Sequence, residues 1–162
     1  MLRNVLLVSL FCVAALQASE RFVQDEGHFS VQFPDGVTAA KSGECAVAEN
    51  EARDYHIEIE PNKVPGGMTV HNVSQLNEKM NAASLKDYKK IKGGSMATAL
   101  NAVIPWTTMS FTEGKRALMK TTYLIYNAAD RRLITVNCVT TVETHEARRV
   151  EFEQLVRSLG LK

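Results

Sequence analysis

The sequence predicts an α+β fold, in which a mostly antiparallel sheet of about six strands is flanked by two main helices as an α/β/α sandwich. Three observations lead to this class. A long hairpin pattern occupies residues 115–143, the other strand patterns come in groups, and two segments carry apolar residues at helical spacing. Grouped strands favour antiparallel pairing with helices packed on the sheet, and they argue against a doubly wound nucleotide-binding fold.

The hairpin is the most prominent strand pattern. Two runs rich in β-branched and aromatic residues are separated by turn residues 127–130. In the second run Ile134, Val136 and Cys138 share one face, but the other face also carries Leu133. We therefore expect at least partial cover on both faces of this strand.

The N-terminal part supplies three more strand patterns. Residues 28–34 alternate apolar and polar side chains, Pro34-Asp35-Gly36 ends that strand, and a loop should follow to about Gly43. Residues 44–50 form a weaker candidate. Residues 54–60 show a strict period of two, which predicts an antiparallel strand with one wet face.

The middle of the chain predicts a helix and then an extended segment. Asn72 would cap the helix, and a kink or a second short helix capped by Ser84 would carry the helical region to Gly93-Gly94. Residues 97–112 should be extended. Pro105 would mark an edge, a bulge or the first residue of that strand.

The last segment predicts a second amphipathic helix. Thr144 would cap it, and Gly160 would end it. Its apolar residues recur at i, i+3, i+4 and i+7 on one face, namely Phe152, Leu155, Val156 and Leu159. We expect Phe152 to be the largest anchor of this helix on the sheet.

The N-terminus predicts export. Residues 1–18 combine a basic Arg3, an apolar stretch and a small Ala18, which is typical of a cleaved secretory signal peptide. An uncleaved anchor is the alternative, but the apolar run is shorter than the roughly 20 residues of a membrane span. We expect a single domain over residues 19–162 in the periplasm or the medium, with no integral membrane segment after cleavage.

The charge balance bears on two classes of partner. The formal net charge is +1, and loss of Arg3 with the signal peptide brings it to zero. Nothing in this balance steers the protein towards nucleic acid or an anionic membrane. A protein partner in the cell envelope is the remaining expectation, and the oligomeric state stays open.

The mature chain would hold two cysteines, Cys45 and Cys138, because Cys12 leaves with the signal peptide. In an exported protein an isolated pair is usually bridged. We therefore predict a Cys45–Cys138 disulfide. Two buried free thiols are the alternative.

His56, Glu58 and Glu60 place an imidazole and two carboxylates on one strand face, and these ligand types suit Zn²⁺ or a similar ion. Successive residues on one strand face lie about 7 Å apart, so three in a row seldom converge on one ion. A solvated face is the favoured interpretation, with a metal site as the alternative.

No catalytic motif accompanies the other histidines. The sequence has no G-x-S-x-G elbow and no H-E-x-x-H helix, and its Gly-Gly pairs lack the rest of a phosphate loop. His71 and His145 are expected at the surface. We predict no catalytic residue, no cofactor and no enzymatic activity.

Four lysines form a basic cluster near the end of the predicted helical region. We interpret the cluster as a solvated face near the negative end of the helix dipole. Its members are Lys86, Lys89, Lys90 and Lys92.

Over residues 28–160 the chain resembles the PsbP-like (DcrB-like) family of small exported α/β/α sandwich proteins. The resemblance lies in core positions: Phe29-x-Val31-x-Phe33-Pro34, a mid-chain helix with Leu76 and Tyr88, the hairpin from Tyr123 to Val139, and a final helix with Phe152, Ser158 and Leu159. Leu159 departs from the aromatic residue frequent at that position. The resemblance implies accessory or binding roles without catalysis.

Three functional hypotheses follow. The first is an exported, non-enzymatic accessory or binding protein of PsbP-like fold. The second is a metal-binding protein or metal-dependent enzyme that uses His56, Glu58 and Glu60. The third is a periplasmic inhibitor or immunity protein, which the residues do not separate from the first.

Overall fold

The computed structural model describes residues 21–97, 103–127 and 131–161. Within these ranges the elements follow in the order β1 Phe22–Gln24, β2 Phe29–Val31, β3 Val37–Ser42, β4 Cys45–Asn50, β5 Tyr55–Lys63, α1 Val70–Ser84, β6 Lys86–Ala97, β7 Val103–Glu113, β8 Arg116–Asn127, β9 Arg132–Thr141, α2 His145–Ser158 and β10 Gly160–Leu161.

The main sheet has seven antiparallel strands in the order β3-β4-β5-β9-β8-β7-β6. A small sheet of order β1-β2-β10 accompanies it. The predicted α+β class is therefore confirmed, although two strand assignments in the N-terminal half differ. β3 forms where a loop was expected, and β2 belongs to the small sheet.

The predicted hairpin is confirmed as β8 and β9, which pair from Leu118 opposite Thr141 to Asn127 opposite Arg132. Its tip, residues 128–130, lies outside the described residues. β9 also pairs with β5 along nine residues of each strand. The hairpin thus occupies the middle of the sheet, with β5 on one side and β7 on the other.

One face of the sheet is closed by α2. Phe152, Leu155 and Val156 are buried against the sheet, as the helical spacing predicted. The rings of Phe152 and Tyr55 lie 5.6 Å apart, within the range of favourable aromatic pairs. The small sheet adds Phe29 to the same core, and this face holds the main hydrophobic cluster.

A buried glutamine attaches the small sheet to the main one. The side-chain amide of Gln24 in β1 donates to the carbonyl oxygens of Gly43 and Cys45, at 2.8 and 2.7 Å. Gln24 is 1% exposed, so these bonds satisfy an amide that would otherwise be costly to bury. The turn between β3 and β4 is held in this way.

The other face is covered by α1. This helix begins after Thr69, whose hydroxyl oxygen accepts a hydrogen bond from the backbone N–H of Asn72 at 3.3 Å. The cap is therefore Thr69 rather than Asn72. Val73 packs in a second, smaller cluster with Leu124 and Leu133. α1 contacts β6, β7 and β8.

The predicted second helical segment is wrong, because residues 86–97 form β6. This edge strand pairs with β7, and its register shifts twice, between Lys86 and Lys89 and between Lys90 and Lys92. Such bulges interrupt the alternation of side chains between the two faces of a strand. The sequence of β6 therefore lacks the period of two by which a strand is predicted. The four lysines therefore lie on an edge strand and not at a helix end.

None of the helices in the described ranges is long and apolar enough to cross a membrane. The predicted signal peptide, residues 1–18, lies outside the described residues. Export therefore stays a prediction.

Candidate functional site

α1 leaves part of its sheet face uncovered. β3, β4 and β5 lie beyond the strands that α1 contacts, and their side chains on this side are exposed or half-buried. We call this surface the open face. It consists of Thr38, Ala40, Ser42, Cys45, Val47, Glu49, His56, Glu58 and Glu60.

The alternating sequence of β5 produces the open face. Tyr55, Ile57 and Ile59 are buried on the α2 side, while the residues between them are half-buried on the other side. The predicted strand with one wet face is thereby confirmed. On β4, Val47 lies opposite Glu58, so an apolar side chain stands beside a carboxylate.

His56 and Glu49 form a cross-strand pair on the open face. The Nδ1 atom of His56 lies 2.9 Å from a carboxylate oxygen of Glu49, and both side chains are more than a third exposed. Exposed pairs of this kind contribute about 0–1 kcal/mol to stability. The pair therefore fixes side-chain positions more than it stabilises the fold.

Two shallow depressions extend the open face. One has a volume of about 680 Å³ and is lined by residues including Ala40 and Val47, and the other has about 330 Å³ and includes His56 and Val139. They share Glu49 and Arg53. The surface is therefore a broad, shallow trough and not a deep cleft.

A half-buried lysine lies where the open face meets α1. The Lys120 ammonium group donates to the side-chain oxygen of Asn81 at 2.7 Å. Burial lowers the pKa of Lys120, and Glu60 and Glu58 oppose that shift. Burial raises the pKa of Glu60, Glu58 adds to the increase, and Lys120 counteracts it. These groups form one electrostatically coupled cluster.

The floor beside this cluster is polar. Asn137 of β9 lies directly opposite Glu58 of β5, and its side-chain oxygen accepts a hydrogen bond from the Thr122 hydroxyl at 2.8 Å. Both residues are at least nine-tenths buried. Buried polar side chains need hydrogen-bond partners, and this bond supplies one to each of the two residues.

The predicted metal set does not form. Within the described residues no group of three or more His, Cys, Asp or Glu side chains could hold a metal ion. His56 pairs with Glu49 across the strands, while Glu60 is coupled to Lys120. The spacing of about 7 Å between same-face residues keeps the three predicted ligands apart. The geometry of the described residues therefore gives the metal alternative no support.

The predicted disulfide is not formed, because Cys45 and Cys138 are both free. They lie on opposite faces of the sheet with β5 between their strands: Ile57 is opposite both Ala48 and Cys138, whereas Cys45 lies on the open face. Two strands with a third strand between them are about 10 Å apart, which is beyond the reach of a disulfide. Each cysteine has apolar neighbours on its own strand, but the two sets of neighbours lie on opposite faces of the sheet.

His145 is buried rather than at the surface. Its Nδ1 atom lies 2.9 Å from the Thr140 hydroxyl, and its Nε2 atom lies 2.9 Å from the Thr121 hydroxyl. Thr121 in turn lies 2.7 Å from the Thr108 hydroxyl. The imidazole of α2 therefore joins a hydroxyl chain that crosses three strands.

The tautomer of His145 follows from its neighbours. The Thr140 hydroxyl donates to the Thr141 carbonyl oxygen at 3.0 Å, so it accepts a hydrogen bond from the Nδ1–H of His145. The Nε2 atom then accepts from Thr121. Burial lowers the pKa of His145, Glu146 opposes the shift, and Lys92 adds to it. The neutral imidazole fits this environment.

The order of strands, the two helical layers and the small side sheet together define an α/β sandwich with one central antiparallel sheet. The chain has the PsbP-like fold, as the resemblance in the sequence predicted. No family model and no curated protein matches the sequence. The likeness therefore rests on solved structures.

Three solved structures illustrate the likeness. Cyanobacterial PsbP (CyanoP) from Synechocystis has a TM-score of 0.68 at 14% identity, over 96% of this chain and 99% of that one. LpqN from Mycobacterium tuberculosis, involved in cell envelope biogenesis, has a TM-score of 0.63 at 10% identity, over 83% of each chain. The Saccharomyces cerevisiae Ran-binding protein Mog1p has 0.63 at 8%, over 88% and 94%. At such identities the likeness shows the fold alone.

Proposed function

We propose that this chain is an exported, non-enzymatic accessory protein that binds another protein through its open face. The observation that carries the proposal is the half-covered sheet: three adjacent strands present small, apolar and charged side chains to solvent beside a helix that stops short of them. A surface that mixes apolar contacts with a polar rim is typical of protein interfaces.

The described nucleophiles favour binding over catalysis. Cys138 is completely buried, and burial raises the pKa of its thiol. Burial also raises the pKa of Cys45, and Glu60 and Glu58 add to the increase. Reactive cysteines need the opposite shift, because the thiolate is the nucleophile. His145 is held inside a hydroxyl network.

One neighbour in fold agrees with a binding role, and a second has a role in the cell envelope. Mog1p is a Ran-binding protein, and LpqN takes part in cell envelope biogenesis. These roles belong to those proteins. For this chain they support a protein partner and, together with the predicted signal peptide, a partner in the cell envelope or the medium.

Site-specific photocrosslinking in the native host tests the proposal. A photoreactive side chain at Val47 would sit in the open face, and one at Gln154 would sit on the exposed side of α2 as the matched control. We expect a discrete adduct with one other protein from position 47 and none of that mass from position 154. Addition of Glu58→Lys to the Val47 probe should abolish the adduct, because it reverses a charge directly opposite the probe.

No discrete adduct from position 47, or the same adducts from both positions, would show that the open face is not the binding surface. Circular dichroism of each variant confirms that the fold is retained. An adduct that persists unchanged in the Glu58→Lys variant would argue that this carboxylate has no part in recognition.

A further inference from the structure

The two edges of the main sheet differ in how they are protected. β6 carries four lysines and two register shifts, and Lys90 and Lys92 pair with Glu78 of α1 and Glu146 of α2 at 2.7 and 3.2 Å. Charged side chains and bulges are the usual means of preventing edge-to-edge pairing. β6 is thus an edge strand that is protected against pairing with another strand.

β3, the opposite edge, has none of these features except one lysine. Its six residues, Val37–Ser42, pair with β4 in an unbroken register, and most of its side chains are small. On the α2 side a cleft of about 510 Å³ separates this edge from Val23 of β1, so that side of the edge is open as well. A regular edge without bulges exposes a row of unpaired N–H and C=O groups, which is a template for another strand.

The hydrogen-bonding groups of this edge can be assigned. A two-residue turn, Gly43-Glu44, connects Ser42 and Cys45, which lie opposite each other. Such a closing pair is hydrogen-bonded, and the bonding alternates along the strand. Val37, Ala39 and Lys41 therefore direct their backbone N–H and C=O groups away from β4, towards solvent.

We propose that β3 is a self-association edge, at which two copies of this chain pair antiparallel about a two-fold axis through Ala39. In this register Ala39 faces its own counterpart and Val37 faces Lys41 of the second copy, so every outward backbone group finds a partner. A shift that places Ala40 on the axis would leave some of these groups unpaired.

Charge favours the same register and a second copy as the occupant. Lys41 of one copy would face Val37 of the other and lie near Asp35, which precedes Val37 by two residues and lines the same cleft. Asp35 is exposed, and Lys41 has only a loose pairing with Asp25 at 3.9 Å. The two-fold axis forms this contact twice. No like charges face each other across the paired strands.

The dimer would also change the open face. Pairing through β3 makes the open faces of two copies continuous, so six strands form one uncovered surface between the two α1 helices. This inference goes beyond the proposed function and does not depend on it. An adduct from Val47 together with a monomeric protein would leave the function intact and reject the dimer.

Sedimentation analysis of the purified mature chain over a wide concentration range tests the edge. We expect a reversible shift from the mass of one chain to that of two as concentration rises. Lys41→Glu should weaken the dimer about tenfold, because two ion pairs become repulsive contacts. The double variant Lys41→Glu/Asp35→Lys should restore it, and Lys79→Glu on the exposed side of α1 should have no effect.

Ala39→Pro provides a second, independent variant, since it removes the backbone donor on the axis without a change of charge. It should abolish the dimer while circular dichroism shows a folded chain. A protein that stays monomeric at all concentrations overturns the proposal. So does a dimer that survives Lys41→Glu unchanged or is not restored by the double variant.

Discussion

The two faces of the central sheet differ in what their side chains do. Under α2, alternate residues of β5 and β9 such as Ile57, Ile134 and Val136 are completely buried in one apolar cluster. On the α1 side the same two strands present Glu58, Asn137 and other polar groups, and the apolar cluster there is small. The comparison indicates that the α2 side carries most of the apolar core, which is why we propose the open face on the other side as the binding surface.

The largest expected effect lies on the α2 face. Phe152→Ala removes the largest anchor of α2, and we expect a loss of about 3–5 kcal/mol in the free energy of unfolding. Urea denaturation measures it. A loss below about 1 kcal/mol, well under the usual cost of emptying a buried Phe site, would show that α2 does not depend on this contact.

A smaller effect is expected under α1. Val73→Ala should lower the free energy of unfolding by roughly 1–2 kcal/mol, because Val73 is the only apolar residue of α1 buried in the described part of the chain, and its cluster is small. The same urea assay compares the two variants directly. A cost equal to that of Phe152→Ala would mean that the two faces contribute alike.

Acid should lower the stability of the fold through His145 of α2. Burial lowers the pKa of His145 in the folded state, so the unfolded chain binds a proton more readily. The stability from the neutral imidazole is complete above the unfolded pKa of about 6.5 and is lost as pH falls below it. Denaturation curves from pH 8 to 5 should show this decline.

His145→Gln should reduce the decline, whereas the exposed control His71→Gln should keep it. If both variants retain the wild-type dependence on pH, another group is responsible. If His71→Gln also removes the decline, the decline is not specific to His145.

The reactivity of the two cysteines distinguishes the two faces of the sheet. We expect two titratable thiols on the denatured, unreduced chain, since both are free. In the folded protein a thiol reagent should modify Cys45 slowly and Cys138 only on unfolding, because Cys45 lies on the open face and Cys138 is buried. Cys45→Ser should remove the reaction of the folded state. A count of zero thiols would restore the disulfide prediction.

The elements that sequence reasoning identified are those with a strong local period. The alternation of β5, the hairpin of β8 and β9, and the helical stripe of α2 each repeat over several residues, and the structure confirms all three. Local periodicity is sufficient there because burial on one face imposes it. β3 was missed because Val-Thr-Ala-Ala-Lys-Ser has too little contrast between its two faces.

The errors concern residues whose environment is set by distant parts of the chain. His145 has an ordinary sequence context, and its burial depends on Thr121 and Thr140, which lie on two strands and hydrogen-bond to its imidazole. The cysteines seemed equivalent until strand pairing placed β5 between them.

The candidate site follows the same rule. The wet face of β5 was predictable, but Lys120 and Asn81 join it only through the packing of β8 and α1. One signal was present in the sequence: Lys120 is a charged residue in the middle of a strand pattern, where charge needs a partner.

An alanine scan of β5 tests the central claim most directly, because neighbouring residues of one strand belong to opposite faces. Ile57→Ala and Ile59→Ala should each cost about 2–5 kcal/mol of stability. His56→Ala and Glu58→Ala should change stability by less than about 0.5 kcal/mol, and Glu58→Ala should reduce the adduct formed from Val47. Even-numbered residues that cost as much stability as the isoleucines, with the adduct unchanged, would contradict the assignment of one face to folding and the other to binding.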